Sequence, residues 1–217
     1  MADAAARGRL ITLEGGEGAG KSTQARHLAA WLKARSVDCV LTREPGGSPG
    51  AEAIRNLLVT GEPGRWDAVT EAMLMNAARR DHVIRTIRPA LASGQWVICD
   101  RFIDSTLAYQ GYAGGVPFAS LEALIAATVE DTRPDLTLVL DLSPETGLAR
   151  TLRGKDGTEA RFERKGSVFH AAVRDGFLRI AAGDPGRCVV IDAGTLPEDR
   201  IAQAIAAAVS ERLGVSA

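Results

Sequence analysis

The sequence is short of cysteine and lysine, carries no excess of either charge, and has no long apolar run. Its 217 residues hold 26 Lys and Arg against 27 Asp and Glu, a formal net charge of −1. That balance argues against wholesale nucleic-acid binding, so any polyanion site must be local. Cys39, Cys99 and Cys188 are an odd number, far apart and without a Cys-x-x-Cys pair. They argue against a disulfide frame or a zinc site and point to a reducing compartment. The longest run of apolar residues, Ala204 to Val209, is too short to span a bilayer. The opening MADAAARGRL lacks the apolar core of a signal peptide. The expectation is therefore a cytoplasmic protein that binds neither membrane nor nucleic acid. Only Lys21, Lys33, Lys155 and Lys165 are lysines, so the basic residues are overwhelmingly forked guanidiniums.

What is present is the makeup of a globular domain: 46% hydrophobic and 24% charged residues. The length suits one domain with a small flap. Short apolar runs alternate with helical patterns. Strands are expected at 10–13, 38–42, 95–99, 136–142 and 187–191. Helices are expected at 21–35, from Pro49 to Val59, over 67–92, 118–130, from Pro144, and over 167–182 and 197–213. Strands separated by helices imply βαβ units, and apolar rather than alternating strands imply helices on both faces. The fold class read from this is α/β, three layers around a parallel five-stranded sheet. The polar stretch 153–166, RGKDGTEARFERKG, reads as a lid over a site or as an exposed connection.

Gly15-Gly16-Glu17-Gly18-Ala19-Gly20-Lys21-Ser22 matches GxxxxGK(S/T), directly after an expected strand and before an expected helix. Glycines let successive N–H groups converge on an anion, and the helix N-terminus adds partial positive charge. Lys21 suits the β- and γ-phosphates and Ser22 a Mg²⁺ ion. Such a loop leaves the reaction open, because kinases, GTPase switches and partition ATPases all use one. No NKxD guanine signature follows, and no strand ending in adjacent acids. Asp100-Arg101 instead follows the third strand, an acid placed for a metal shell beside an arginine aimed at the same crevice.

LEGGEGAGKST at 13–23, TREPGG at 42–47, AARRDH at 77–82 and DRFIDSTLAYQG at 100–111 resemble the bacterial thymidylate kinase family. LDLSPETGLAR at 140–150, ARFE at 160–163 and VIDA at 190–193 fit as well. The second and fourth motifs are the specific ones. The resemblance implies a P-loop nucleoside-monophosphate kinase that moves the ATP γ-phosphoryl group to dTMP, on a homodimer with Mg²⁺.

It also implies roles for single residues. ATP would lie on Gly15 to Thr23, with Arg150 near adenine and the turn at 193–195. Arg101 would hold the dTMP phosphate, for which a permanently charged two-pronged donor is suited. Arg79 would bond the thymine carbonyl, with Thr106 and Gln110 at the base edge and Tyr109 crowding the 2′ position. Ser105 supports this helix, Glu17 contacts the acceptor sugar, and Glu44 and Pro45 line the acceptor pocket. Ser22 and Asp100 would serve the metal. Lys21, Arg101 and the lid arginines Arg153 and Arg161 are the catalytic candidates, with Arg164 a weaker one. Arg80, Arg85 and Arg88 read as a solvated helix face. Met75 stands where the family usually has a stacking Phe; a polarizable thioether lies against a ring less rigidly.

Overall fold

The computed structural model describes residues 7–152, 161–162 and 164–216. Five strands form one parallel sheet: β1 (Leu10–Glu14), β2 (Cys39–Arg43), β3 (Trp96–Asp100), β4 (Leu136–Asp141) and β5 (Cys188–Asp192). Their spatial order is β2-β3-β1-β4-β5. Parallel neighbours require crossovers, and the crossovers here are helical. α1 (Lys21–Lys33) leads from β1 to β2. α2 (Pro49–Val59), α3 (Ala68–His82) and α4 (Arg88–Ala92) lead to β3. α5 (Ile103–Thr106) and α6 (Phe118–Val129) lead to β4, α7 (Pro144–Leu152) and α8 (Ser167–Gly183) to β5, and α9 (Glu198–Leu213) follows. The α/β expectation is met.

Every residue of β1 is buried, because both faces are covered. Side chains alternate between those faces with period two. Ile11 and Leu13 pack with Leu28 and Leu32 of α1 and Ile205 of α9. Leu10 packs with Leu91 of α4 and Val129 of α6 on the other side. Thr12 shares that second face, and its buried hydroxyl is satisfied by Thr137 Oγ1 at 2.8 Å. No helix among the described residues is long and apolar enough to cross a membrane.

The helical pattern over 67–92 is not one α-helix. Asp67 caps α3, its carboxylate accepting from the N–H groups of Val69 and Thr70. After His82 the chain widens into a π turn over Val83–Ile87, where the Arg88 N–H donates to the Val83 carbonyl, and then re-tightens into α4. Pro89 explains the widening, since its ring would strike the carbonyl four residues back in a regular helix. Arg80 and Arg88, expected to face solvent, also hold the end of α6 through the Thr128 and Val129 carbonyls.

The topology decides where a site can form. α1 leaves β1 over one face of the sheet, whereas α6 leaves β3 over the other. Adjacent strands whose connections part in this way open a crevice at their carboxyl ends. Leu13 of β1 pairs with Asp100 of β3, so the glycine loop and Asp100-Arg101 emerge side by side.

The loop is locked from behind by α7. Gly18 has φ +68°, and a Cβ there would lie 2.1 Å from the Gly147 carbonyl oxygen; a Cβ on Gly147 would lie 2.1 Å from the Glu17 carbonyl oxygen. The two backbones therefore touch without room for a methyl group. Gly147→Ala is expected to cost about 1–3 kcal/mol of stability. In a thermal melt that is a fall in Tm of roughly 2–12 °C. Gly183→Ala, where nothing lies within 4 Å, should leave Tm unchanged or slightly raised.

Candidate active site

The loop from Gly15 to Gly20 joins β1 to α1, and Gly20, at φ +86°, is the α1 N-cap with no side-chain cap bond. The positive end of the helix is thus presented to the loop. Lys21 turns back into it, with Nζ donating to the Gly15 carbonyl at 3.1 Å and the Gly16 carbonyl at 2.7 Å. Burial, with the Arg101 charge second, brings the Lys21 pKa down to about 8. Ser22 Oγ donates to Asp100 Oδ2 at 2.5 Å, bringing two hard oxygen ligands together between the motifs.

Arg101 is held in an unusual backbone conformation, φ +72°, which a non-glycine residue rarely adopts. Its own N–H donates to the Leu13 carbonyl at 2.9 Å, and the next N–H, of Phe102, donates to Glu14 Oε1 at 2.7 Å. This left-handed turn swings the guanidinium over the glycine loop. Nη1 donates to the Gly15 carbonyl at 3.1 Å and to Ser105 Oγ at 3.2 Å, while Nη2 pairs with Glu17 Oε1 at 2.9 Å. The Tyr109 hydroxyl donates to the same Glu17 oxygen at 2.8 Å, and the guanidinium lies 5.0 Å from the Tyr109 ring centroid.

Glu14 is a residue that sequence reasoning missed. Fully buried, it accepts from Phe102 and, at 2.6 Å, from Ser105 Oγ. Burial first, then the charge of Asp104, pushes its pKa up to about 7. The available signal was an acid closing an otherwise apolar strand, immediately before the glycines.

Across the cleft Arg79 is almost wholly buried and rigidly mounted. Nε donates to Glu44 Oε2 at 2.7 Å, Nη1 to Thr106 Oγ1 at 3.0 Å and Asn76 Oδ1 at 3.2 Å, and Nη2 to the Phe102 carbonyl at 2.9 Å. Glu44 is braced in turn by His82 Nδ1 at 2.9 Å, whose Nε2 meets Thr42 Oγ1 at 2.8 Å. Glu44, His82 and Cys99 place potential metal ligands within 4.8 Å of one another. Both ring nitrogens of His82 are engaged, however, and Arg79 already neutralises Glu44, so the cluster reads as a mount for Arg79. Met75 packs beside Tyr109 and Phe162.

A cleft of about 380 Å³ joins the two halves. Gly18, Lys21, Ser22 and Asp100 line one side; Pro45, Met75, Arg79 and Gln110 line the other. Glu17, Gly20, Thr23, Glu44, Arg101, Ser105, Thr106, Tyr109 and Arg150 also line it. So do Arg43, Arg55, Thr151 and Phe162, which the sequence reading did not single out. Gly15, Gly16 and Ala19 shape the loop without lining the cleft, and the turn at 193–195 is not part of its wall. That turn is closed on itself, with Asp192 accepting from the Gly194 and Thr195 N–H groups.

Of the lid arginines, Arg161 stands elsewhere than expected. Arg161 does not present its charge to the cleft. Its Nε donates to the Leu58 carbonyl at 2.7 Å, and both terminal nitrogens bond Glu71 Oε1 at 2.8 Å. With 1% exposure, a guanidinium must be paired, and Glu71 pairs it. Arg164 meets Glu62 at 3.3 Å on the surface. Arg153 and most of the expected lid lie outside the described residues.

Comparison with known proteins agrees with this geometry. The family model described as thymidylate kinase matches residues 13–205. A thymidylate kinase of Caulobacter vibrioides is 55% identical over 209 residues, 96% of this chain and 99% of that protein. One of Rhizorhabdus wittichii is 51% identical over 200 residues, 92% of this chain and 96% of that protein. The crystal structure of thymidylate kinase from Ehrlichia chaffeensis superposes with a TM-score of 0.76 at 33% identity, covering 94% of this chain and 99% of that one. A glycine loop and a paired arginine, facing each other in this order along the chain, belong to a protein of the thymidylate kinase family.

Proposed function

We propose that the chain transfers the γ-phosphoryl group of ATP to dTMP, giving dTDP and ADP. The observation that carries this reading is the contact of Arg101 Nη1 with the Gly15 carbonyl at 3.1 Å. It sets a guanidinium for an acceptor phosphate directly against a loop for a donor polyphosphate. The reacting oxygen of dTMP is already anionic, so a strong general base is unnecessary; alignment, exclusion of water and screening of charge are the protein's work.

In this reading the loop N–H groups and Lys21 hold the β- and γ-phosphates of ATP, with Arg150 towards adenine. The dTMP phosphate competes with Glu17 for the fork of Arg101. Arg79 and Thr106 address a carbonyl of the base, Gln110 its edge, and Met75 one ring face. Tyr109, pinned by Glu17, narrows the space at the sugar's 2′ position. The oxygen pair of Ser22 and Asp100 fits Mg²⁺, which when bound would screen the phosphates. Residues 153–166 act as the lid, and Arg153 is its candidate for the transferring group. A homodimer fits the exposed apolar pair Val69 and Met73, one turn apart on α3. A cytoplasmic location fits the three free thiols.

With ATP and Mg²⁺, an acceptor panel of dTMP, dUMP, UMP, CMP, AMP and GMP should show dTMP strongly preferred. Preference for another acceptor, or ATP hydrolysis indifferent to all of them, contradicts the assignment. Arg101→Ala should weaken dTMP by about 2–5 kcal/mol and ATP far less, read by calorimetric titration. Equal losses would place the guanidinium elsewhere in the reaction. Met75→Phe should tighten dTMP modestly in the same titration.

Lys21 adds a pH signature. Its charged form binds phosphate, and a pKa of about 8 means the charge is lost as pH rises through that value. ATP affinity of the free enzyme should therefore be full near pH 7 and fall towards pH 9. Lys21→Ala, which should abolish turnover with the fold intact, should flatten that dependence.

A further inference from the structure

Behind the acceptor wall, and outside the cleft lining, lies Glu71 of α3, 1% exposed. Three side chains converge on its carboxylate. Oε1 accepts both terminal nitrogens of Arg161 at 2.8 Å and Lys165 Nζ at 3.0 Å. Oε2 accepts Lys165 Nζ at 3.1 Å and Gln110 Nε2 at 3.2 Å. With cationic donors on both of its oxygens, this side chain acts as an acceptor towards Gln110 as well. The atom that Gln110 turns towards it must therefore be the NH₂ group, whichever way the amide would otherwise rotate. Gln110 is itself buried and lines the cleft. Its carbonyl oxygen, on the opposite side of a planar amide, is then what it offers to a ligand.

We propose that Glu71, which touches no ligand, is a specificity-determining positioning residue: it fixes the Gln110 amide with its carbonyl towards the acceptor base, so that the pocket demands a pyrimidine with an N3–H donor. The inference rests on the reading of the cleft as the dTMP site and deepens it. Thymine and uracil carry a hydrogen on N3, whereas cytosine carries a lone pair there. A carbonyl held at that edge bonds the first two and meets the third acceptor to acceptor. A site built around a buried hydrogen bond rejects the mismatched partner because its own polar group is left unpaired. Arg161 and Lys165 serve here as the counter-charges of Glu71. They also tie the residues around Phe162, whose ring meets Tyr109 edge-on at 5.9 Å, to the same wall.

The substitution that tests this is Glu71→Gln. Arg161 supplies two donors to the Oε1 position and Lys165 a third, so the new amide oxygen settles there; its NH₂ takes the Oε2 position facing Gln110, and Lys165 keeps only its bond at Oε1. Gln110 must then turn its carbonyl inwards and present NH₂ to the cleft. Steady-state kinetics on the full chain with ATP and Mg²⁺ would compare kcat/KM for dTMP and dCMP. The expected result is a fall of about tenfold in the dTMP:dCMP ratio, one hydrogen bond's worth. The KM for ATP should stay within about twofold, because the donor loop is not part of this network. In a Gln110→Met background the same change should no longer move the ratio. Glu71→Asp, with the charge withdrawn by one methylene, should lower the ratio by a smaller factor and serves if the amide variant does not fold. An unchanged ratio in whichever variant folds, or an equal fall in the Gln110→Met background, overturns the proposal. If the unmodified enzyme does not phosphorylate dTMP at all, it is the assignment of the reaction that fails.

Discussion

The cleft depends on the parallel pairing of β1 with β3. Leu13 and Asp100 are partners across that ladder, so the turns that follow both strands are brought to one edge. A slip of a single residue would exchange the faces of every side chain on the strand. It would also move Arg101 away from the glycine loop. The register is secured because the two buried faces differ: a slip would turn Thr12 and Glu14 away from Thr137, Ser105 and the Phe102 N–H and into the apolar layer of α1 and α9. Glu14, the last residue of the same strand, extends this control by receiving the Phe102 N–H, which supports the left-handed backbone of Arg101.

The second organising feature is a set of buried guanidiniums, each held by a carboxylate that is itself held. Glu44 holds Arg79, and His82 holds Glu44; Glu71 holds Arg161 with Lys165 beside it. Burying a charge is costly, and removing one partner of such a pair is costlier still. The return for the pocket is rigidity: Arg79 makes four hydrogen bonds before any ligand arrives, so little rotamer freedom remains to be lost on binding. Arg101 differs in sharing its fork between a backbone carbonyl, a hydroxyl and the loop acid Glu17.

The sheet, its crossovers and the glycine loop were legible because each rests on local chemistry: apolar runs, helical spacing, and glycines before a lysine. The π turn at Val83–Ile87 was legible only through Pro89, whose effect on the preceding turn is local but easily read as a simple continuation. The motif DRFIDSTLAYQG hid a short helix and a second π turn over Leu107–Tyr112, since its residues are chosen for a site rather than for an apolar stripe.

The sequence by itself determined the parallel α/β architecture, the phosphate loop and the identity of the arginines, because these follow from patterns within a few neighbouring residues. Only the tertiary structure decided what each arginine is paired with. Arg161 and Arg79 look alike in the chain, yet one is spent on Glu71 behind the wall and the other is mounted on Glu44 facing the cleft. The physical reason is that a buried charge takes its role from its partner. Arg161 and Glu71 stand 90 residues apart along the chain, a separation that only folding closes.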